Sequence, residues 1–121
     1  MANLKESLDK LGEIDGFIGT CVVDSNSGMM LGSLGGSASL NLEVAAAGNT
    51  EVVRAKRKTM AALALKDQIE DILITLGKQY HLLRPLEQRD GLFVYLVLDR
   101  TKANLAMSRH KLSEIEKSLA L

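Results

Sequence analysis

Hydrophobic residues recur at helical spacing from Asn41 to Leu65, a stretch with no proline and many strong helix formers. Ser39 or Asn41 is suited to cap this helix, because a short polar side chain accepts hydrogen bonds from the first free N–H groups. The apolar residues spread over about 200° of the helical wheel, roughly twice the arc that one packing surface needs. They are Leu42, Val44, Ala45, Ala46, Val52, Val53, Ala55, Met60, Ala62, Leu63 and Ala64. This width predicts two packed surfaces, one on the protein's own sheet and one on a partner.

Five segments have the composition of β-strands. Gly16–Asp24 and Leu92–Leu98 are apolar on both alternating faces, which is typical of central strands covered on both sides. Turn residues follow Asp24, and Met29–Ser33 then completes a hairpin. Ile69–Leu76 and Tyr80–Leu86 precede Leu92–Leu98, with turn residues in both intervals. We therefore expect two hairpin units, one on each side of the long helix.

Shorter helices are predicted at both ends of the chain. Asn3–Leu11 has leucines at helical spacing, and Gly12 follows as a stop signal. Either Asn104 or Ala103 opens the last helix, whose apolar face consists of Leu105, Leu112, Ile115 and Leu119.

The order of elements predicts a single α/β (α+β) domain over residues 1–121, built as a three-layer α/β/α sandwich. Pairing the two central strands gives a five-stranded antiparallel sheet in the order 2-1-5-4-3. The long helix must connect opposite edges, and its length of about 36 Å spans the roughly 19 Å between them. We expect this helix on one face and the two terminal helices on the other.

Composition and charge narrow the range of functions. Lysine plus arginine equals aspartate plus glutamate at 15 each, whereas a general nucleic-acid binder usually has a basic excess. One cysteine allows no internal disulfide. The charged, amphipathic N-terminal stretch is unlike a signal sequence, and no apolar run approaches the roughly 20 residues that span a bilayer. We expect a cytoplasmic protein without nucleic-acid binding or membrane insertion.

Candidate chemistry is sparse. His81 and His110 have no second ligand at metal-binding spacing, and Cys21 lies inside an apolar strand. The glycine-rich stretch Leu31–Ser37 lacks the lysine of a phosphate-binding loop and is interpreted as a connector. The sequence therefore predicts no catalytic residues, no metal and no cofactor.

The only basic cluster lies on the long helix, and two interpretations remain open. A solvated face with a Glu51–Arg54 ion pair is favoured over a partner patch formed by Arg54, Arg57 and Lys58. Lys56 and Asn49 fall inside the apolar arc. They either extend out from a packed surface or set the register of a helix pair.

Three strings, in this order and spacing, carry a family resemblance: GFIGTCVVDSNSGMMLG, YHLLRPL and GLFVYLVLDRTKANLAMSRHKL. The most specific part is the LDR–ANL junction before a helix that bears Arg109. From Leu4 to Leu119 the chain resembles the roadblock (dynein light chain) family, which includes bacterial partners of Ras-like GTPases. The resemblance implies a non-enzymatic module that forms homo- or heterodimers, with edge strands joined and long helices side by side. Such a platform binds small GTPases or other assembly partners.

The first functional hypothesis is thus a dimeric scaffold or regulator of a small Ras-like GTPase. Ile69–Leu76 is the expected dimer edge, because its interior lacks the proline and lysine that block edge pairing. The predicted interface residues, some of which must face the monomer core, are Val52, Val53, Lys56, Met60, Ile72, Ile74 and Leu76. The alternative is a small-molecule-sensing or enzymatic α/β domain, with a pocket formed by the sheet and the glycine-rich connector.

Overall fold

Three helices and five strands follow one another in the order that the hydrophobic pattern predicts. The computed structural model describes residues 1–121. Its elements are α1 (Leu4–Leu11), β1 (Phe17–Asp24), β2 (Met29–Gly35), α2 (Leu42–Ala62), β3 (Ile72–Thr75), β4 (Gln79–Pro85), β5 (Leu92–Asp99) and α3 (Leu105–Ser118). β2 is two residues longer than predicted, and β3 is four residues shorter.

The strands form one antiparallel sheet in the order β2-β1-β5-β4-β3, which confirms the predicted topology. β1 and β5 pair in the middle, with Cys21 opposite Tyr95. Both strands are almost entirely buried, as their two apolar faces require. β2 and β3 are the two edges, and each pairs with only one neighbour.

Alternation along the central strands divides the core into two layers. The α2 face packs Cys21, Val23, Leu83, Phe93, Tyr95 and Val97 against Leu42, Ala46 and Val53 of the helix. The opposite face packs Val22, Leu82, Val94, Leu96 and Leu98 against Leu8 and Leu11 of α1 and Leu112 of α3. The structure is therefore the predicted three-layer sandwich, with α2 on one side and the two terminal helices on the other.

Asparagine side chains decide where the helices begin. The Asn41 Oδ1 accepts hydrogen bonds from the backbone N–H groups of Glu43 (3.0 Å) and Val44 (3.2 Å), so Asn41 and not Ser39 caps α2. Asn104 caps α3 in the same way through the N–H of Met107. α1 begins after Asn3 and ends at Gly12 as expected.

β3 begins later than the sequence pattern predicts, and the residue before it, Asp71, binds to α3. The carboxylate of Asp71 accepts two hydrogen bonds from the guanidinium of Arg109 on α3, at 2.8 and 3.1 Å. Ladder pairing with β4 starts only at Ile72, opposite Leu83.

Candidate interaction surface

The second half of α2 is largely uncovered. From Glu51 to Ala62 every residue is exposed except Val53, which is buried, and Met60, which is half-buried. The first half of the helix, by contrast, buries Leu42, Ala46 and Thr50. One sheet face therefore covers only part of the wide apolar arc, and the remainder faces outward.

An unpaired strand edge lies beside this exposed half-helix. β3 bonds to β4 on one side and has no partner within the chain on the other. Between α2 and β3 runs a groove of about 550 Å³, which we call the α2–β3 groove. It is lined by Val52, Lys56, Met60, Leu65, Asp67, Gln68, Ile69, Glu70, Asp71 and Ile72.

The structure brings most of the predicted interface residues to this groove. Val52, Lys56, Met60 and Ile72 line it directly. Ile74 is half-buried further along β3, and Leu76 is exposed just beyond the end of the strand.

Val53 is a member of the predicted set that faces the monomer core, as the prediction required of some of its residues. Its side chain is fully buried in the core between α2 and the sheet. It follows Ala46 and Thr50 at spacings of four and three residues, which places all three on the sheet-facing stripe of the helix. Val53 therefore belongs to the monomer core and is not available to a second copy.

A polar network occupies the α2 face of the sheet next to Ile74. The hydroxyl of buried Tyr95 lies 2.8 Å from Nδ1 of His81, and Nε2 of His81 lies 2.8 Å from Oε1 of Gln79. With the ring proton on Nε2, Tyr95 donates to Nδ1 and Nε2 donates to Gln79, so a neutral imidazole satisfies every partner. Burial lowers the pKa of His81 and raises the pKa of Tyr95 to about 12. The sequence pattern predicted a packed or surface residue at position 81 and missed the network.

Asn49 and Lys56, the two polar positions in the apolar arc, have different surroundings. Asn49 is half-buried and close enough to Tyr95 to lower the pKa of the phenol, opposing the larger effect of burial. Lys56 is exposed and lines the α2–β3 groove. Asn49 thus lies beside the polar network, whereas the charge of Lys56 is free to meet another molecule.

The two walls of the groove carry opposite charges. The helix wall carries Lys56, which is exposed. Arg54, Arg57 and Lys58 are also exposed on α2 but lie outside the groove lining. The other wall carries Asp67, Glu70 and Asp71. The predicted Glu51–Arg54 ion pair is present at 3.4 Å, and Arg54 also donates to the backbone carbonyl of Asn26. Arg57 and Lys58 form no ion pair within the chain.

The remaining candidate groups are enclosed or isolated. Cys21 is fully buried, and burial raises the pKa of its thiol to about 12. No three metal-ligating side chains come together. In the glycine-rich connector, a Cβ on Gly36 would meet the carbonyl oxygen of Leu40 at 3.0 Å, so the chain itself occupies that space. No helix is both long and apolar enough to cross a membrane.

Comparison with known proteins relates this geometry to solved structures. No protein-family model and no curated protein sequence matches the chain. The Roadblock/LC7 domain from Streptomyces avermitilis, however, superposes with a TM-score of 0.81 over 97% of this chain and 94% of that one. The chain has the roadblock fold.

Other structures with the roadblock fold superpose at similarly low sequence identity. Myxococcus xanthus MglB gives a TM-score of 0.80 over 93% of this chain and 80% of that one, with 14% identity. A structure described as MglB with tetrameric arrangement gives 0.66, covering 93% and 87% of the two chains at 15% identity. The Streptomyces domain is only 11% identical. These similarities confirm the resemblance inferred from the sequence and establish the roadblock fold itself.

Proposed function

We propose that this chain is a non-enzymatic scaffold or regulator that forms a homodimer and binds a small Ras-like GTPase or a related assembly partner. The observation that carries the proposal is the exposed second half of α2 beside the unpaired edge of β3. A bare edge strand and an uncovered helix face are both unfavourable in an isolated chain. One partner that covers both features at once removes both costs.

A second copy fits this surface. A two-fold axis beside β3 pairs the strand with its own copy in antiparallel orientation and brings the two α2 helices together. Lys56 of one copy then lies near the acidic wall of the other, which favours association. The tetrameric arrangement of MglB supports self-association as a property of this fold.

The GTPase part of the proposal rests on the roadblock resemblance together with the charge of α2. Arg57 and Lys58 are exposed and unpaired, and with Arg54 they form a basic surface that an acidic partner surface fits. We place the protein in the cytoplasm, where such a partner would be available.

The alternative, a small-molecule-sensing or enzymatic domain, has less support. The connector that would form its pocket continues β2 as far as Gly35, and at Gly36 it packs closely against Leu40 and Leu42. The one thiol, Cys21, is buried and therefore does not reach an open site.

Sedimentation at micromolar concentration tests the dimer. We expect twice the chain mass of 13.1 kDa. Val52→Glu places a charge in the groove and should give a folded monomer. Val44→Glu is the matched control, because it makes the same change at a more exposed position in the first half of α2. A wild-type protein that stays monomeric at these concentrations would contradict the dimer.

Isothermal calorimetry with purified Ras-like GTPases of the source organism tests the partner. Each GTPase is loaded with GDP or with a non-hydrolysable GTP analogue. We expect binding that Arg57→Glu with Lys58→Glu weakens by about tenfold or more, because rim charges contribute to recognition. Lys111→Glu with Lys117→Glu makes the same charge change on α3 and should have little effect. Equal losses from both pairs would argue against the α2 patch.

A further inference from the structure

β3 has the least support of the five strands. It has four residues and pairs with β4 alone. The preceding segment, residues 66–71, forms no backbone hydrogen bond to any other element. A strand held by one short ladder frays readily, because each ordered residue loses conformational entropy. Other contacts must therefore hold β3 in place if it is to act as a pairing edge.

The first such contact lies at the start of the strand. The guanidinium of Arg109 donates from Nη2 to Asp71 Oδ1 at 2.8 Å and from Nε to Asp71 Oδ2 at 3.1 Å. This two-point geometry fixes orientation as well as distance. The Asp71 side chain is only 16% exposed, so the pair is partly shielded from water. It ties the residue just before Ile72 to the first turns of α3.

The second contact lies at the end of the strand. Arg100 Nη1 donates to the carbonyl oxygen of Leu76 at 2.7 Å, and the backbone N–H of Arg100 donates to the carbonyl oxygen of Lys78. The same guanidinium stacks over the ring of Tyr80, 5.1 Å from its centroid. Arg100 thus fixes the tip of the β3–β4 hairpin against the end of β5.

We propose that Arg100 and Arg109 are positioning residues that clamp the two ends of β3 so that its outer edge is ready to pair. Arg100 directly follows β5 and Arg109 lies on α3, so two positions nine residues apart in sequence hold the two ends of β3. The clamp is a property of the single chain. Its effect on association rests on the proposed homodimer, in which an edge already ordered by the clamp loses less entropy on pairing.

Hydrogen exchange in a monomeric background tests the clamp itself. In the Val52→Glu chain, Arg100→Met and Arg109→Met should each speed exchange of the Ile72–Thr75 amides about tenfold, because they release a charge-assisted contact. Lys111→Met removes a positive charge from an exposed position on α3 and should leave these amides unchanged. Amides of β1 and β5 should keep their protection in all variants. Arg109→Lys, which keeps the positive charge, should retain part of the protection of the β3 amides that Arg109→Met loses.

Sedimentation in the otherwise native chain tests the consequence for pairing. Each arginine variant should raise the dimer dissociation constant about tenfold, equivalent to about 1.4 kcal/mol, whereas Lys111→Met should not change it. Asp71→Asn should match Arg109→Met and provides a second route if the latter folds poorly.

The results of these two experiments distinguish a failure of the clamp proposal from a failure of the homodimer proposal. Exchange in β3 equal to that of the Lys111→Met control overturns the clamp. So does an equal loss of protection in β1, β5 and β3, or a failure of all the variants to fold, because the arginines would then serve general stability. A wild-type chain that is monomeric while β3 responds to the substitutions supports the clamp and refutes the proposed homodimer.

Discussion

Val52 and Val53 are neighbours in sequence and lie in opposite environments. Val53 is fully buried against the sheet, and Val52 is 36% exposed at the groove. One residue along a helix is a rotation of about 100°, enough to turn a side chain from the core to the surface. The helical wheel placed both residues in one apolar arc. Only the packing of α2 against the sheet distinguishes them.

His81 leads to a prediction about pH. Burial holds its pKa in the folded chain below the usual value of 6.5. As pH falls through that value, the unfolded chain binds a proton before the folded chain does. The free energy of unfolding should therefore be highest above pH 6.5 and decrease as pH falls toward the folded-state pKa.

Urea unfolding between pH 5 and 8 measures this decrease. His81→Gln should make it shallower, because the side chain that titrates is gone. His110→Gln is the control, since that ring is exposed on α3. Identical pH profiles for His81→Gln and the wild type would show that the imidazole does not contribute.

The buried ion pair of Arg84 and Glu116 is a residue-scale feature that the sequence pattern did not predict. Arg84 Nε donates to Glu116 Oε1 at 2.9 Å, and both side chains are nearly inaccessible to water. The partners are 32 positions apart, on β4 and α3, so no local spacing brings them together. Each is stable in the interior because the other compensates its charge.

At the scale of elements, hydrophobic periodicity predicted every helix and strand, but two boundaries differ from the prediction. Residues 69–71, the first three predicted for β3, lie outside the strand, and Asp71 accepts a hydrogen bond from Arg109. α2 ends at Ala62, three residues before Leu65, where the backbone turns at Ala64 with φ of 57°. Neither event has a signal in the local pattern of apolar residues.

The turn at Ala64 leads to a prediction for α2. Left-handed backbone is strained for alanine and unstrained for glycine. Ala64→Gly should raise the free energy of unfolding by about 0.5–1 kcal/mol, after allowance for the more flexible unfolded chain. Ala61→Gly, inside the helix with ordinary backbone, should lower it by a similar amount. Thermal unfolding compares the two, and a loss of stability in both would refute the assignment of strain.

At the scale of the whole molecule, zero net charge conceals a segregated distribution. Lys56 lies on the helix wall of the α2–β3 groove, and Asp67, Glu70 and Asp71 lie on the opposite wall. In the proposed dimer these walls meet across the two-fold axis. Composition alone gives no indication of this arrangement, because the fifteen positive and fifteen negative side chains balance overall.

This charge arrangement predicts that self-association depends on salt concentration. Raising NaCl from about 50 to 500 mM should weaken self-association several-fold, because partly exposed charge pairs are screened. Lys56→Gln should flatten the dependence, whereas Lys10→Gln, on α1 at the opposite face, should not. Sedimentation across the salt series measures the dissociation constant of the wild-type chain and of both variants. Association that strengthens with salt would indicate an interface dominated by apolar contacts.

The sequence by itself determined the elements, the antiparallel order 2-1-5-4-3, the two-sided core and the placement of the helices. These follow from periodicity, which depends only on which positions along a chain are apolar. Tertiary structure alone decided that Val53 is core while Val52 is surface, that His81 joins Tyr95, and that Arg109 holds Asp71. Those facts depend on the rotation of one helix about its axis and on contacts between residues far apart in sequence. Local pattern does not encode either, because the free energy that selects them arises only when the layers pack together.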